Sequence, residues 1–324
     1  MTIGNIWRPE TFQGSRKKSG YFEGWYFKLI DKPRETVFAV IPGISIGKNG
    51  KDAHAFIQFI DAVKGKTEYF RFAFKEFKAD KNKFDIYIGD NHFSDKGMDL
   101  SLVNDHLRIC GSLHFCRIEK YPKSLFSPGI MGPFSFIPNM ECYHGIVNIS
   151  HTVVGSLNIN GTSLDLTDGE GYIEKDWGRS FPQSWIWLQA NHFQETGTSF
   201  MFSIARIPWL KRSFPGFISF LKTSHGFYRF ATYNGSKITH IKIEGDTIAV
   251  RLQSPAYILD FTANYKKGGI LKAPKNGFMQ REIEESITAE ISLCLSNRKG
   301  NPIYSGTSRC AGMEISGCLN DILS

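Results

Sequence analysis

From Tyr21 onward the chain alternates apolar and polar residues over short runs and breaks them with Gly, Asn, Asp and Pro. A period of two sustained this way limits the fold to one built of half-buried strands. YFEGWYFKL at residues 21–29, a polar turn at Asp31 to Arg34, and then TVFAVIPGISIG make a hairpin pattern. HAFIQFI (54–60) and TEYFRF (67–72) form a second pair around Gly65, and residues 84–88, 97–102, 107–115, 146–151 and 155–159 continue in the same style. After residue 224, HGFYRFATY, HIKIEGD, TIAVRLQS, YILDFTANYK and the run 286–295 carry the pattern to about Arg309. The expectation is an all-β chain, sandwich or barrel. Aromatic residues make up 14% of the sequence, with 27 Phe, a density suited to filling β cores or lining apolar pockets.

A weak internal repeat bears on domain organisation. GWYFKLID is followed by TVFAVIP and HAFIQF in the first half, and SWIWLQAN by TSFMFSIARIP and HGFYRF in the second. Trp25 then corresponds to Trp185, Phe27 to Trp187, Pro42 to Pro208 and His54 to His225. With 324 residues, the length suits two domains, and the repeat predicts a related pair, 1–150 and 151–324, the second carrying EKDWGRSFP. Residues 122–140 hold four prolines and two glycines among many apolar groups, which reads as an ordered loop across a pocket or between domains. In WLKRSFPGFISFLK (209–222), Pro215 and Gly216 disfavour one long helix. That leaves a buried crossover, a cap on a barrel mouth, or peripheral membrane contact by Trp209, Leu210, Phe214 and Phe217 beside Lys211 and Arg212.

Several function classes are disfavoured. The net charge of +8 is modest, and its densest clusters, Arg16-Lys17-Lys18 and Lys78 to Lys83, come without heptads, zinc spacing or an RNA-binding aromatic motif, so nucleic acid is not an expected partner. No apolar run approaches the roughly 18 residues of a membrane span, and the first residues lack a signal-peptide core, which predicts a cytoplasmic, non-spanning protein. Cys110, Cys116, Cys142, Cys294, Cys310 and Cys318 include no CxxC pair and read as reduced thiols. The nine histidines show no HxxxH or HExxH pattern, so no metal is expected. Nucleophile elbow, phosphate loop and dinucleotide fingerprint are all missing.

The chemistry concentrates in GYIEKDWGRSFPQSWIWLQANHF, residues 171–193. If a strand begins near Ser184, Trp185, Trp187, Gln189 and Asn191 share one face and Ile186, Leu188, Ala190 and His192 the other. Two indoles followed by two amides form either a pocket wall or a tryptophan-packed core face. Carboxylates sit beside rings at Glu23 (before Trp25), Glu141 (before Tyr143-His144), and Glu174 and Asp176 (before Trp177). A desolvated carboxyl favours its neutral form and can donate a proton near neutral pH. The alternative is a structural ion pair with Lys175 or Arg179. An aromatic cavity with a few carboxylates and amides suits a hydrophobic ligand with one polar end.

YFEGWYFK (21–28), SPGIMGPFSFIPNMECYHG (127–145) and GYIEKDWGRSFPQSWIWLQANHF (171–193) resemble the tocopherol cyclase-like family, in the same order and over most of the chain. The resemblance implies a pair of lipocalin-like β-barrels, similar to carotenoid hydratase-type proteins, and ring closure on a prenylated quinol without a cofactor. In that chemistry an acid protonates a trisubstituted alkene, the ring hydroxyl attacks the tertiary cation, and rings stabilise the charge. Carried onto this sequence, it implies Asp176 as first choice for the proton donor, Glu174 as second, and His144 as acceptor of the phenolic proton. Glu23 or Glu141 would orient the head group, Gln189 and Asn191 would hydrogen-bond it, and Trp25, Trp177, Trp185 and Trp187 would line the cavity. Water in place of the hydroxyl would give a hydratase, and binding without turnover a lipid carrier.

Overall fold

The computed structural model describes residues 5–61, 65–209 and 212–323. Two antiparallel sheets hold nearly all of the regular structure. Strands of the first are β1 (Tyr21–Ile30), β2 (Val37–Ile46), β3 (His54–Asp61), β4 (Lys66–Ala73), β5 (Phe77–Ala79) and β6 (Asp85–Ile88). It continues with β7 (Asn91–Ser94), β8 (Gly97–Val103), β9 (Arg108–Lys120), β10 (Cys142–Ile159), β11 (Thr162–Asp165) and β12 (Gly169–Gly178). The second comprises β13 (Trp185–Ala190), β14 (Ser199–Trp209), β15 (Arg212–Thr223), β16 (Gly226–Ala231) and β17 (Lys237–Glu244). Its remaining strands are β18 (Thr247–Gln253), β19 (Tyr257–Asn264), β20 (Gly269–Lys275), β21 (Phe278–Asn297) and β22 (Pro302–Ser316).

The order of the first sheet is β4-β3-β2-β1-β12-β10-β9-β8-β7-β6-β5, with β11 beside β10; that of the second is β16-β15-β14-β13-β22-β21-β19-β18-β17, with β20 beside β21. Each begins with a four-strand meander whose first strand pairs with a late strand of the same sheet, β12 in one and β22 in the other. The duplication expected from the sequence is therefore a duplication of topology. Its residue-level matches are not. Trp25 faces the interior of its sheet, stacked 5.5 Å from Phe84, whereas the core of the second sheet takes Ile186 and Leu188 and leaves Trp185 and Trp187 on the other face. A shift of one residue inverts a strand's faces, so matching by ring type placed Trp185 one position out of step. His54 opens β3, while His225 lies in the turn before β16.

Both sheets curl on themselves. In the first, Phe27 on β1 meets Phe93 on β7 at 5.8 Å and Phe115 on β9 at 6.2 Å, although neither strand is its neighbour. In the second, Phe200 and Phe202 on β14 meet Phe261 on β19 at 5.0 and 5.1 Å. The high Phe content thus fills the interiors, each ring removing about 150–250 Å² from water.

The chain divides into one unit of residues 1–181 with 271–282 and another of 182–270 with 283–324, not at residue 150. EKDWGRSF therefore belongs to the first unit, because β12 is zipped along its whole length between β1 and β10. Residues 271–282 join it as a hairpin turning at Asn276-Gly277, both with positive φ. The Gln58 side chain donates to Lys272 O and accepts from Lys272 N, Gly277 N donates to Arg179 O, and Phe181 N donates to Pro274 O.

The segment 209–222 is neither a cap nor a crossover. Arg212–Thr223 is a full strand, with Pro215 opposite Arg206 and Phe217 buried in the core of the second unit. Trp209 is exposed; Leu210 and Lys211 lie outside the described residues. Among the described residues no helix is long and apolar enough to cross a membrane.

Candidate active site

Register decides which groups meet. On β12, Tyr172, Glu174 and Asp176 point to one face and Ile173, Lys175 and Trp177 to the other. Tyr26 on β1 and Ile146 on β10 flank Glu174, while Gly24 and His144 flank Asp176. The three residues named as candidate acids and base are thereby assembled: His144 Nδ1 lies 2.9 Å from Asp176 Oδ1 and Nε2 lies 3.6 Å from Glu174 Oε2. Tyr172 donates to Glu174 Oε2 at 2.7 Å, and the Cys142 thiol lies 3.9 Å from Asp176 Oδ1. Side-chain exposure rises from 5% at Glu174 to 14% at His144 and 25% at Asp176, so Asp176 is the member a ligand reaches most readily.

Burial, reinforced by the neighbouring Glu174 carboxylate, pushes the Tyr172 phenol well above its usual range, so it remains a donor to Glu174. Burial, with Asp176 next in effect, raises the Cys142 thiol and keeps it protonated. Gly24, beside Asp176, opposes Gly43 of β2, and the Phe56 ring lies over that pair. The absence of a side chain at Gly24 lets the Phe56 ring and Ile41 come close beside the acid. The loop 122–140 reaches this strand too, since His144 N donates to Met131 Sδ at 3.1 Å.

Glu23, Trp25 and Trp177 do not join this group. They belong to the opposite face, where Lys175 pairs with Glu23 at 2.5 Å, both side chains fully buried. Lys175 Nζ also donates to Pro9 O at 2.9 Å and to Thr11 O, and it lies 4.5 and 4.9 Å from the Trp25 and Trp177 rings. Glu23 accepts from Tyr21 Oη and Gln13 N. Burial lowers the Lys175 pKa, with Glu23 opposing, and the cluster is a structural clasp for residues 9–13. Lys175 is thus spent on Glu23 and does not neutralise Glu174 or Asp176. Glu141 precedes β10; burial raises its pKa against the pull of Arg179 and Arg281.

Trp185, Trp187 and Gln189 lie on β13 in the second unit and Asn191 directly after it, all buried, the β13 three on the face away from that unit's apolar core. Trp185 Nε1 donates to Glu314 Oε2 at 2.7 Å, and Gln189 Nε2 donates to Asn191 Oδ1 at 3.3 Å. A groove of about 790 Å³ also lies in that unit, along β17, β18, β19 and β21. Its charged lining is self-satisfied, with Arg251 bound to Asp260 through two nitrogens, and it holds none of the candidate residues.

His144, Glu174 and Asp176 also place ligand-type atoms within 4.8 Å of one another, a grouping that could hold a cation. Motif spacing gave no sign of it because the donors come from two strands. The imidazole lies between the carboxylates with one nitrogen toward each, an arrangement suited to passing a proton. A cation would take one ring nitrogen and one oxygen of each carboxylate.

Residues 122–317, more than half of the chain, match the family described as tocopherol cyclase-like. The chain belongs to that family. No curated protein matches the sequence. Among solved structures, a Nitrosomonas europaea protein assigned as AttH superposes with a TM-score of 0.53 at 14% identity, covering 91% of this chain and 92% of its own. CghA in complex with Sch210972 gives 0.56 at 9% identity, covering 92% and 88%. Kievitone hydratase from Nectria haematococca gives 0.50 at 10% identity, covering 95% and 94%. At these identities the likeness is one of fold. The family match takes in the motifs at 127–145 and 171–193 but not YFEGWYFK at 21–28, and with the lipocalin-like architecture it agrees with the expectation from those motifs. Tyr172, Tyr26, Gly24 and Cys142 were not singled out in the sequence; alternation around Glu174 would have found Tyr172, whereas the others needed the strand pairing.

Proposed function

We propose that this chain is a cofactor-independent acid–base enzyme that protonates a carbon–carbon double bond of an isoprenoid lipid and closes a hydroxyl of the same molecule onto the resulting cation. The observation that carries the reading is the linked set Tyr172, Glu174, His144 and Asp176 on one face of β10 and β12. His144 lies between the two carboxylates with one ring nitrogen toward each, so the neutral ring can take a proton on one side and hand one on at the other. Asp176, the most exposed, delivers its proton to the less substituted alkene carbon. The tertiary cation forms, the substrate hydroxyl attacks it, and the hydroxyl proton passes to His144 and back to Asp176, so the site ends as it began. Rings on this face, Tyr26 and Tyr172 among them, offer π-density to the cation. Phe56 over Gly24 and Gly43 adds an apolar wall.

A carrier would be favoured had Lys175 or Arg179 neutralised Glu174 and Asp176. Lys175 instead serves Glu23 on the other face. Water in place of the internal hydroxyl would make the same site a hydratase. The test is anaerobic incubation of the purified protein with a short-chain prenylated hydroquinone, resolved by chromatography and mass spectrometry. A product of unchanged mass and altered retention, lost in Asp176→Asn, is expected. A product heavier by one water would make the protein a hydratase, and substrate recovered bound and unaltered would make it a carrier.

A further inference from the structure

The two most exposed large apolar groups among the described residues of the first unit sit side by side on one built feature. Ser124 and Ser127 pair with each other through reciprocal backbone hydrogen bonds of 2.9 and 3.2 Å, which makes a two-residue turn with Leu125 and Phe126 at its tip. These two residues are 69% and 78% exposed, Phe126 the most exposed of the large hydrophobic residues among those described. Turn tips ordinarily carry Gly, Asn, Asp or Pro. Two large hydrophobic groups on a hydrogen-bonded tip are therefore held out, not left over from a loose loop.

The base of the turn is braced. Trp7 Nε1 donates to Ser124 O at 3.3 Å, and Lys123 Nζ donates to Trp7 O at 3.0 Å and to Glu10 Oε2 at 2.9 Å. Phe136 packs edge-on to Trp7 at 5.4 Å and is itself exposed. Cations stand close to the turn and its brace along the chain: Arg8 follows Trp7, and Arg117, Lys120 and Lys123 precede Ser124, all exposed. Lys120 and Lys123 are paired with Asp95 and Glu10, which leaves Arg8 and Arg117 as the charges most open to an outside anion.

We infer that the Leu125–Phe126 turn is a membrane-surface anchor that inserts both side chains among lipid acyl chains, with Trp7 at headgroup depth and Arg8 and Arg117 toward anionic headgroups. The size of the patch favours lipid over protein. Two side chains offer roughly 300 Å², well short of the about 800 Å² per partner that a stable protein interface buries. Insertion of a small apolar tip beside cations is sufficient for reversible bilayer contact. The anchor would sit on the segment that supplies Met131 to His144 N, so the part of the chain that meets the lipid is continuous with the loop against the acid–base group. It stands apart from the catalytic reading, because lipid binding is measured without substrate.

The test is co-sedimentation of the whole chain with sucrose-loaded vesicles of phosphatidylcholine mixed with phosphatidylglycerol. Wild type is expected to pellet with the vesicles, and the double substitution Leu125→Ser, Phe126→Ser to weaken the partition by about tenfold or more. Val103→Ser, which removes another strongly exposed apolar group from the edge of β8, should leave binding unchanged. Light scattering without lipid should give the same mass for wild type and the double variant. Wild type left in the supernatant would overturn the inference, as would a double variant that binds as well as wild type. A self-association that the double substitution dissolves would also overturn it, by making the turn a contact between copies.

Discussion

His151 on β10 should make the first unit acid-sensitive, and His151→Leu should remove that sensitivity. The imidazole is 1% exposed, lies 4.1 Å from the Phe115 ring centroid, and neither ring nitrogen has a hydrogen-bond partner among the described residues. Burial alone drives its pKa from 6.5 to about 3. Between those values the unfolded chain binds a proton that the folded chain does not, so stability falls as pH falls through the window and is unaffected by this group above it. Each pH unit below 6.5 then costs about 1.4 kcal/mol, or about 2 kcal/mol by pH 5 and at most about 5 kcal/mol by pH 3. Leucine has nearly the volume of histidine and no polar atom to desolvate, so the variant should match or exceed wild type at neutral pH, by about 1–2 kcal/mol. Urea denaturation of both proteins at about pH 7 and about pH 5, followed by fluorescence, gives the difference directly. An equal loss of stability in the two proteins over that interval would refute the claim that His151 is buried neutral and unpartnered.

Lys175→Met should cost about 3–5 kcal/mol because it strands the Glu23 carboxylate inside the first unit, and Glu23→Gln in the same chain should recover much of that loss in thermal melts. If the single and double variants melt alike, the pair is not the clasp described. Gly171→Ala would place a methyl 2.1 Å from His151 Nε2. It should destabilise by about 1–3 kcal/mol, and by less when His151 is also replaced by Ala; strict additivity would show that the ring is not what crowds it. Tyr172→Phe removes the donor to Glu174 and should lower turnover and shift its pH profile with little change in melting temperature. An unaltered profile would take Tyr172 out of the proton relay.

The sequence by itself determined the class of fold, the duplicated meander and the identity of the acid–base candidates. Alternation of period two is imposed by the strand backbone, so runs such as YFEGWYFK and YILDFTANYK declare strands without help from the rest of the chain. Local pattern also picked out Glu174 and Asp176, since carboxylates amid apolar strands are costly unless they are used, whereas His144 came only with the family resemblance. What a strand's own residues cannot state is which of its faces looks inward, because either face of YIEKDW could be the buried one. Pairing with β1 and β10 decided that Asp176 meets His144 while Lys175 turns to Glu23, 152 positions away in sequence. The same freedom misplaced Trp185, whose face lies opposite the core filled by Ile186 and Leu188. The division at residue 181 likewise waited on the sheet, because β12 completes the first unit through hydrogen bonds to strands that begin at Tyr21 and Cys142.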